Sequence, residues 1–258
     1  MNEYKDMAEF QSQAGYLVDD VWYPRVTKII EIKAKPALYR YYASLSSYEE
    51  GEEIKKQSAT EGTLVHEALQ GLLLGKSVTV SPTIAPAIET AMDFIRHHNI
   101  QIDPEYVERR IVSQEHRYSG TIDSLALIDG KYAILDIKTS QAIYRDYCLQ
   151  TAAYMEALQD DFHGISTRFI LRVDQATSCI RCGAMMRIKG GREKVKEPYP
   201  RGYNFRMCRE GEHEWRPMRG IVEMKELPSF EADLKAFLGA KTLWEWEHGI
   251  WLRKIGYL

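Results

Sequence analysis

Two aspartates and a lysine in the middle of the chain have the types and spacing to converge on one spot and bind a metal ion. Asp129-Gly130 is a strong two-residue hairpin signal between apolar runs. With that loop, Ile128 faces Lys131, and stepping back along both strands brings Asp123 directly opposite Asp136. Directly opposite residues share a face, with Cβ atoms about 4.5–5.5 Å apart. Two like charges there destabilise a sheet unless something neutralises them, and a hard divalent cation does so through carboxylate oxygens. Lys138, two residues after Asp136, points to the same face. The alternative is a solvated hairpin face with a cross-strand ion pair. The flanking residues weigh against it: Leu125, Leu127, Ile134, Leu135 and Ile137 make both strands apolar, as in a sheet covered on both sides. Charges at the ends of buried strands tend to be paired or metal-bound. Downstream, Gln150 and Tyr154 lie at i and i+4 on one helical face. Upstream, His66 sits within a helix pattern, where a lone histidine is ordinarily a plain core or surface residue.

A second cluster follows. Cys179-x-x-Cys182, then Cys208 and His213, has the spacing of a four-ligand structural zinc site. Cys182-Gly183 fits a knuckle whose backbone amides turn toward the sulfurs. The intervening loop, 183–207, is long, so a metal would contribute much of its order. Three unrelated thiols are one alternative. An Fe–S cluster with Cys148 as the odd ligand is another, although Cys148 by itself reads as a small packed apolar residue. Residues 179–219 carry eleven Lys/Arg against five Asp/Glu, including Arg187, Lys189, Arg192, Lys194 and Arg201. Tyr199, Tyr203, Phe205 and Trp215 are interleaved, a mix suited to phosphate contact plus base stacking. A solubilising surface loop is the bland reading of the same composition.

The elements that must position these residues are readable in outline. The chain has 258 residues, 45% hydrophobic, enough for one sizeable core. A net charge of −3 excludes a histone-like polycation and an acidic disordered tail. The apolar runs are far shorter than the roughly 20 residues of a membrane helix. Residues 1–10 are polar, with no export signal, which leads to the expectation of a cytoplasmic protein without a membrane partner. Residues 1–20 show no clear period. Residues 21–27 read as an edge strand or extended segment around Pro24. Pro36 opens a helix, a longer helix runs from Ser47 to near Gly75, and another spans 82–98. Residues 106–112, 118–128 and 131–139 read as three strands, 145–162 as a helix, 167–173 as a strand and 221–226 as a short strand. A last helix begins at Ser229. Residues 174–219 have no sustained period. The order predicts an α/β core with an insertion.

Taken together, Glu61-Gly62-Thr63-x-x-His66, Glu108, Gly120-Thr121-Ile122-Asp123, Asp136-Ile137-Lys138-Thr139-Ser140 and Gln150-x-x-x-Tyr154 resemble the PD-(D/E)XK nuclease superfamily. The closer similarity is to its RecB-like, phage-type exonuclease branch. Tyr23-Pro24-Arg25-Val26-Thr27 and the aromatic-ended final helix share that likeness, which covers most of the chain except about 174–219. The resemblance implies a restriction-endonuclease-like core, αβββαβ, with a central mixed sheet flanked by helices and a Cys-rich insertion. It divides the chain into a nuclease domain, 1–173 plus 220–258, and an inserted zinc-binding basic arm, 174–219. It implies that His66, Asp123, Asp136 and the carbonyl of Ile137 hold Mg²⁺ or Mn²⁺. Lys138 would orient or deprotonate the attacking water or stabilise charge on the phosphate. Glu108 would serve a second metal or its water shell, or else pair with Arg109 or Arg110. Gln150 and Tyr154 would position Lys138 and the DNA backbone. The implied activity is a metal-dependent DNA exonuclease working on DNA ends or single strands in recombination, replication or repair, in a prokaryotic or phage-infected cell. A single-strand-binding or recombination protein would be a further partner. Arg25 and Lys28 would add to DNA binding. A structure-specific endonuclease, and a catalytically inactive zinc-dependent nucleic-acid-binding protein, are the competing expectations.

Overall fold

A computed structural model describes residues 4–159, 162, 164–197, 208–209 and 211–258. The chain begins with α1 (Met7–Ala14), whose N-cap Asp6 accepts from Glu9 N at 2.8 Å. A hairpin follows, β1 (Gly15–Val18) and β2 (Val21–Pro24), turned by Asp19 and Asp20 at positive φ. Next come α2 (Val26–Glu31), α3 (Pro36–Ala43), α4 (Tyr48–Leu73) and α5 (Ala85–His97). The strand-rich middle holds β3 (Gln101–Asp103), β4 (Arg109–Ser113), β5 (Tyr118–Ile122), β6 (Ser124–Ile128) and β7 (Lys131–Lys138). Then follow α6 (Asp146–Leu158), β8 (Thr167–Ser178), β9 (Met185–Lys189), β10 (Arg192–Lys196), β11 (Arg219–Glu226), α7 (Phe230–Glu247) and α8 (Gly249–Lys254).

The protein is α/β, with a mixed sheet in the order β10-β9-β8-β7-β6-β3 and β11 on β8. β6 and β7 pair antiparallel in the expected register, Ile128 opposite Lys131 and Ser124 opposite Leu135. Asp129 and Gly130 both have positive φ, as the tight hairpin turn requires. β7 and β8 pair in parallel, with α6 as the crossover. The period of two sends alternate side chains to separate cores. Leu125 and Ile134 pack with α2, α6 and α7 around Val26, Tyr154 and Phe237. Ala133, Leu135 and Ile137 pack with α4 and α5 around Leu69, Ile88 and Ala91. Helices therefore cover both faces of the central strands.

Several expectations change. Residues 118–128 are two strands rather than one. The chain bends at Asp123 and changes partners: β5 pairs with β4, while β6 pairs with β7 and β3. The extended stretch around Pro24 ends there, because Val26 opens α2. Residues 104–106 form a turn of 3-10 helix capped by the Asp103 side chain, and the strand starts only at Arg109. Residues 174–178 continue β8, and β9 and β10 form a hairpin within the stretch that showed no period.

One buried ion pair locks the last helices to the sheet. Arg168, fully buried on β8, donates to the carbonyls of Cys148 (2.9 Å) and Leu227 (3.1 Å) and to Asp233 Oδ2 (2.9 Å). Removing one member of such a pair leaves a buried, uncompensated charge. Asp233→Ala is expected to cost about 3–5 kcal/mol of folding free energy in a urea titration. Arg168→Met combined with Asp233→Leu should recover much of that loss, because no charge is then left unpaired.

Candidate metal and phosphate site

The end of β7 gathers the chemistry. Asp136 is completely buried, and neither carboxylate oxygen makes a hydrogen bond of good geometry. Lys138 Nζ approaches its Oδ2 to 2.6 Å, an ion pair formed between residues two apart on one strand face. Asp123, at the bend between β5 and β6, accepts the backbone N–H of Ile137 at 2.6 Å on Oδ2. The same oxygen lies 3.8 Å from His66 Nδ1 on α4. Glu108 enters from the other side. It is held at a positive φ of 53°, and its N–H donates to the Asp123 carbonyl at 3.1 Å. A left-handed glutamate is a sparsely populated conformation, here at the join between two sheets.

The ligand atoms of His66, Glu108 and Asp123 all lie within 4.8 Å of one another. They line a cavity of about 610 Å³ together with Tyr16, Arg25, Gln150 and Tyr154. Gln150 Nε2 donates to the Tyr154 hydroxyl at 2.8 Å, so the i, i+4 pair on α6 acts as one unit. The Tyr154 ring packs against Gly120, where an added Cβ would stand 2.4 Å from a ring carbon. That contact explains a glycine in the strand leading to Asp123.

The electrostatics suit a cation. Burial first, then the charges of Asp123 and Asp136, push the Glu108 carboxyl up to about 7. Because Glu108 is exposed to the cavity, solvent tempers the effect. Burial likewise raises Asp123 and Asp136, with Lys138 pulling the other way. Burial works against the Lys138 ammonium, but the two aspartates outweigh it and hold its pKa above the ordinary lysine value. His66 is lowered to about 4 by burial and then by the Lys138 charge, so it is a neutral imidazole near pH 7. A neutral imidazole beside carboxylates that are short of positive charge is a donor set that fits Mn²⁺ or Mg²⁺.

The placement of the expected residues is uneven. His66, Glu108 and Asp123 come together, with Asp136 and Lys138 beside them. Ile137 touches the cluster through its N–H, which Asp123 accepts. Arg25 lines the cavity with its guanidinium tied to the carbonyls of Ser12 and Gly15 and stacked on Tyr16. Lys28 pairs with Glu31 at 2.8 Å and lines neither this cavity nor the adjoining groove. Arg187 pairs with Asp174, and both Arg187 and Lys189 donate to the Thr139 carbonyl, just past Lys138. Arg192 lies 3.8 Å from Glu50, and Lys194 is exposed. Arg201, with the aromatic residues 199, 203 and 205, lies outside the described residues. Tyr16 is a site residue that carries no motif signal of its own.

The sulfur cluster is a second centre. Cys179, Cys182, Cys208 and His213 bring four ligand atoms within 4.8 Å of one another. Cys179 Sγ and Cys208 Sγ are 3.9 Å apart, and Cys182 Sγ and His213 Nδ1 are 3.5 Å apart. The first distance is far beyond a disulfide. Both match the edges of a tetrahedron with metal–ligand bonds of about 2.0–2.3 Å. Gly183, at φ 70°, donates its N–H to the Cys179 carbonyl at 2.9 Å and closes the turn. Burial opposes ionisation of Cys179, but surrounding donors led by the Cys182 N–H, with His213 next, bring its pKa down to about 5. Burial and the neighbouring thiols push Cys208 up to about 11. The cluster sits where β8 ends and β9 begins, so a metal there would anchor the β9–β10 hairpin.

No protein-family model matches the chain, and no curated protein matches it. No helix among the described residues is long and apolar enough to cross a membrane.

Two outcomes follow from these centres. The purified chain should carry one zinc per molecule by elemental analysis. Cys182→Ser should abolish it and raise amide exchange across β9 and β10. At the first centre, Glu108 in the metal-free fold keeps its proton up to about pH 7, whereas in the unfolded chain it loses it near its ordinary value. Its share of stability therefore falls as pH rises through that window, and a cation that displaces the proton relieves the penalty. Mn²⁺ titration calorimetry at pH 6, in two buffers of different ionisation heat, should show proton release that shrinks in Glu108→Gln. Buffer-independent heats would count against this ligand set.

Proposed function

We propose that the chain is a metal-dependent deoxyribonuclease of the PD-(D/E)XK type, RecB-like, removing nucleotides from DNA ends in recombination, replication or repair. One observation carries the reading: Asp123, Asp136 and Lys138 converge at the end of β7, with His66 and Glu108 across an open cavity. The mixed sheet and the parallel β7–α6–β8 unit agree with a restriction-endonuclease-like core.

His66, Glu108 and Asp123, with Asp136 beside them, would hold a divalent cation, which would supply Lewis acidity toward a phosphate oxygen and lower the pKa of a water. The chain's own groups do the rest. Lys138 is held protonated by two carboxylates, so it acts as a donor and a positive charge rather than as a base. It can orient the attacking water and stabilise charge that develops on the phosphate oxygens. Water attacks phosphorus, the bond to the 3′ oxygen breaks, and that oxygen leaves with a proton from solvent. The products are a 5′-phosphate and a 3′-hydroxyl. The Gln150–Tyr154 pair fixes the wall against which the backbone lies.

The decisive assay uses end-labelled linear DNA and circular DNA with Mg²⁺, Mn²⁺ or chelator. Linear DNA is expected to shorten only with metal, while circles survive. Lys138→Ala should lower the rate about 10²–10³-fold while leaving Mn²⁺ binding measurable. Full activity in that variant, or cleavage in chelator, would overturn the assignment.

A further inference from the structure

A larger groove of about 1160 Å³ opens beside the site cavity, and the two share Ser58, Ala59, His66 and Thr139 as walls. We infer that this groove is the track for a single DNA strand, which it presents to Lys138. The inference rests on the nuclease reading for the nature of its ligand.

Charge is the first argument. Nine Lys/Arg and only two Asp/Glu line the groove, whereas Glu67, Glu108 and Asp123 line the site cavity against Arg25 alone. A phosphate backbone is therefore drawn along the groove and repelled from the metal-free cavity, and Lys138 stands on the groove side. Five of the nine are paired, and part of the charge is available. Lys35, Arg145 and Lys194 make no ion pair with any described residue.

Architecture is the second argument. One wall is α3 with the first half of α4. The other is the 138–147 segment with the β9–β10 hairpin. The hairpin is fastened across to α4, where Gly190 N donates to both Glu61 carboxylate oxygens at 3.0 and 3.1 Å. Gly190 has a positive φ of 65°, and an added Cβ would meet the Ile54 carbonyl at 2.8 Å. Only a glycine lets the turn sit this close. Arg192 reaches the Tyr41 hydroxyl at 3.4 Å, joining the hairpin to α3 as well. The groove thus has walls held in place before a ligand arrives.

Aromatic rings are the third argument, and they decide between one strand and two. Tyr41 and Tyr144 line the groove, and Tyr144 is 49% exposed. Stacking on a tyrosine needs the free face of a base, which a duplex keeps covered. Lys35, Arg145 and Lys194 line the same groove as these rings, so the phosphates of an unpaired strand would meet the cations and its bases the tyrosines.

The test is fluorescence anisotropy on the full chain with Ca²⁺ in place of Mg²⁺, using labelled oligothymidine and a duplex of the same length. Oligothymidine should bind at least tenfold more tightly than the duplex. Lys194→Ala and Arg145→Ala should each reduce the salt slope for the single strand by about 0.7. Tyr144→Ala should weaken single-strand binding roughly tenfold and leave the duplex unchanged. These are exposed side chains, so melting temperatures should stay at the wild-type value. Equal binding of both forms, unchanged salt slopes, or equal losses on both forms in Tyr144→Ala would overturn the track. Intact groove binding without metal-dependent cleavage would support the track and overturn the nuclease reading, so the two fail separately.

Discussion

The constraint that organises this protein is a buried carboxylate that lacks hydrogen bonds. Asp136 is closed off from water with neither oxygen properly bonded, and Lys138 provides the nearest positive charge. Taking a carboxylate out of water costs several kcal/mol, and one ammonium from the same strand offsets it only in part. The surroundings then follow. Asp123 turns its carboxylate onto the Ile137 N–H, so the strand bends there and changes partners. Glu108 adopts a left-handed conformation to hold the Asp123 carbonyl. His66 stays neutral beside them. The fold has concentrated carboxylates at one sheet end with Lys138 as the near cation, and burial raises their affinity for a proton or another positive charge.

The same strand that backs this site also carries the second centre. β8 runs from its parallel pairing with β7 out to Ser178, and Cys179 follows at once. The thiol cluster therefore hangs on a rigid strand, and the hairpin that follows leans back over the end of β7. Arg187 and Lys189 hold the Thr139 carbonyl, while the turn rests on Glu61. Burial, with the charge of Arg187 next, lowers Lys189 to about 8, the mark of an ammonium pressed into a crowded site. The Cys-bearing segment is thus continuous with the site wall in structure as well as in sequence.

What the sequence disclosed depended on how local the cause was. The Asp129-Gly130 turn set the register of β6 and β7 as far as Ser124 opposite Leu135; Asp123, expected directly opposite Asp136, leaves the ladder there and meets the end of β7 through the Ile137 N–H instead. Ser47 announced α4, and its side chain does accept the Glu50 N–H. The break at Asp123 was hidden, because a bend imposed by a tertiary hydrogen bond leaves no local pattern. Two signals were present and unread. Asp6-x-x-Glu9 is a capping pattern for α1. Gly190-Gly191, both at positive φ, is a hairpin turn between β9 and β10. Tyr16 and the second wall of the groove come from distant segments, and no spacing rule connects them.

The charge balance shows why the site needed a structure to be understood. The net −3 hides a basic stretch over 179–219, but that excess is not all free. Arg187 is spent on Asp174 and Arg181 on Glu214, so each contributes to the fold before any ligand. The groove restores what these pairs remove by recruiting Lys35 from the start of α3 and Arg145 from the start of α6. Positive potential at a concave surface depends on unpaired charges facing it, not on the count along the chain. An acidic cavity thus lies beside a groove rich in Lys and Arg, and on the proposed reading the groove would attract a polyanion while the cavity would hold the ions that let it come close. His66 and Thr139 line both spaces, and Lys138 stands on the groove side next to that boundary.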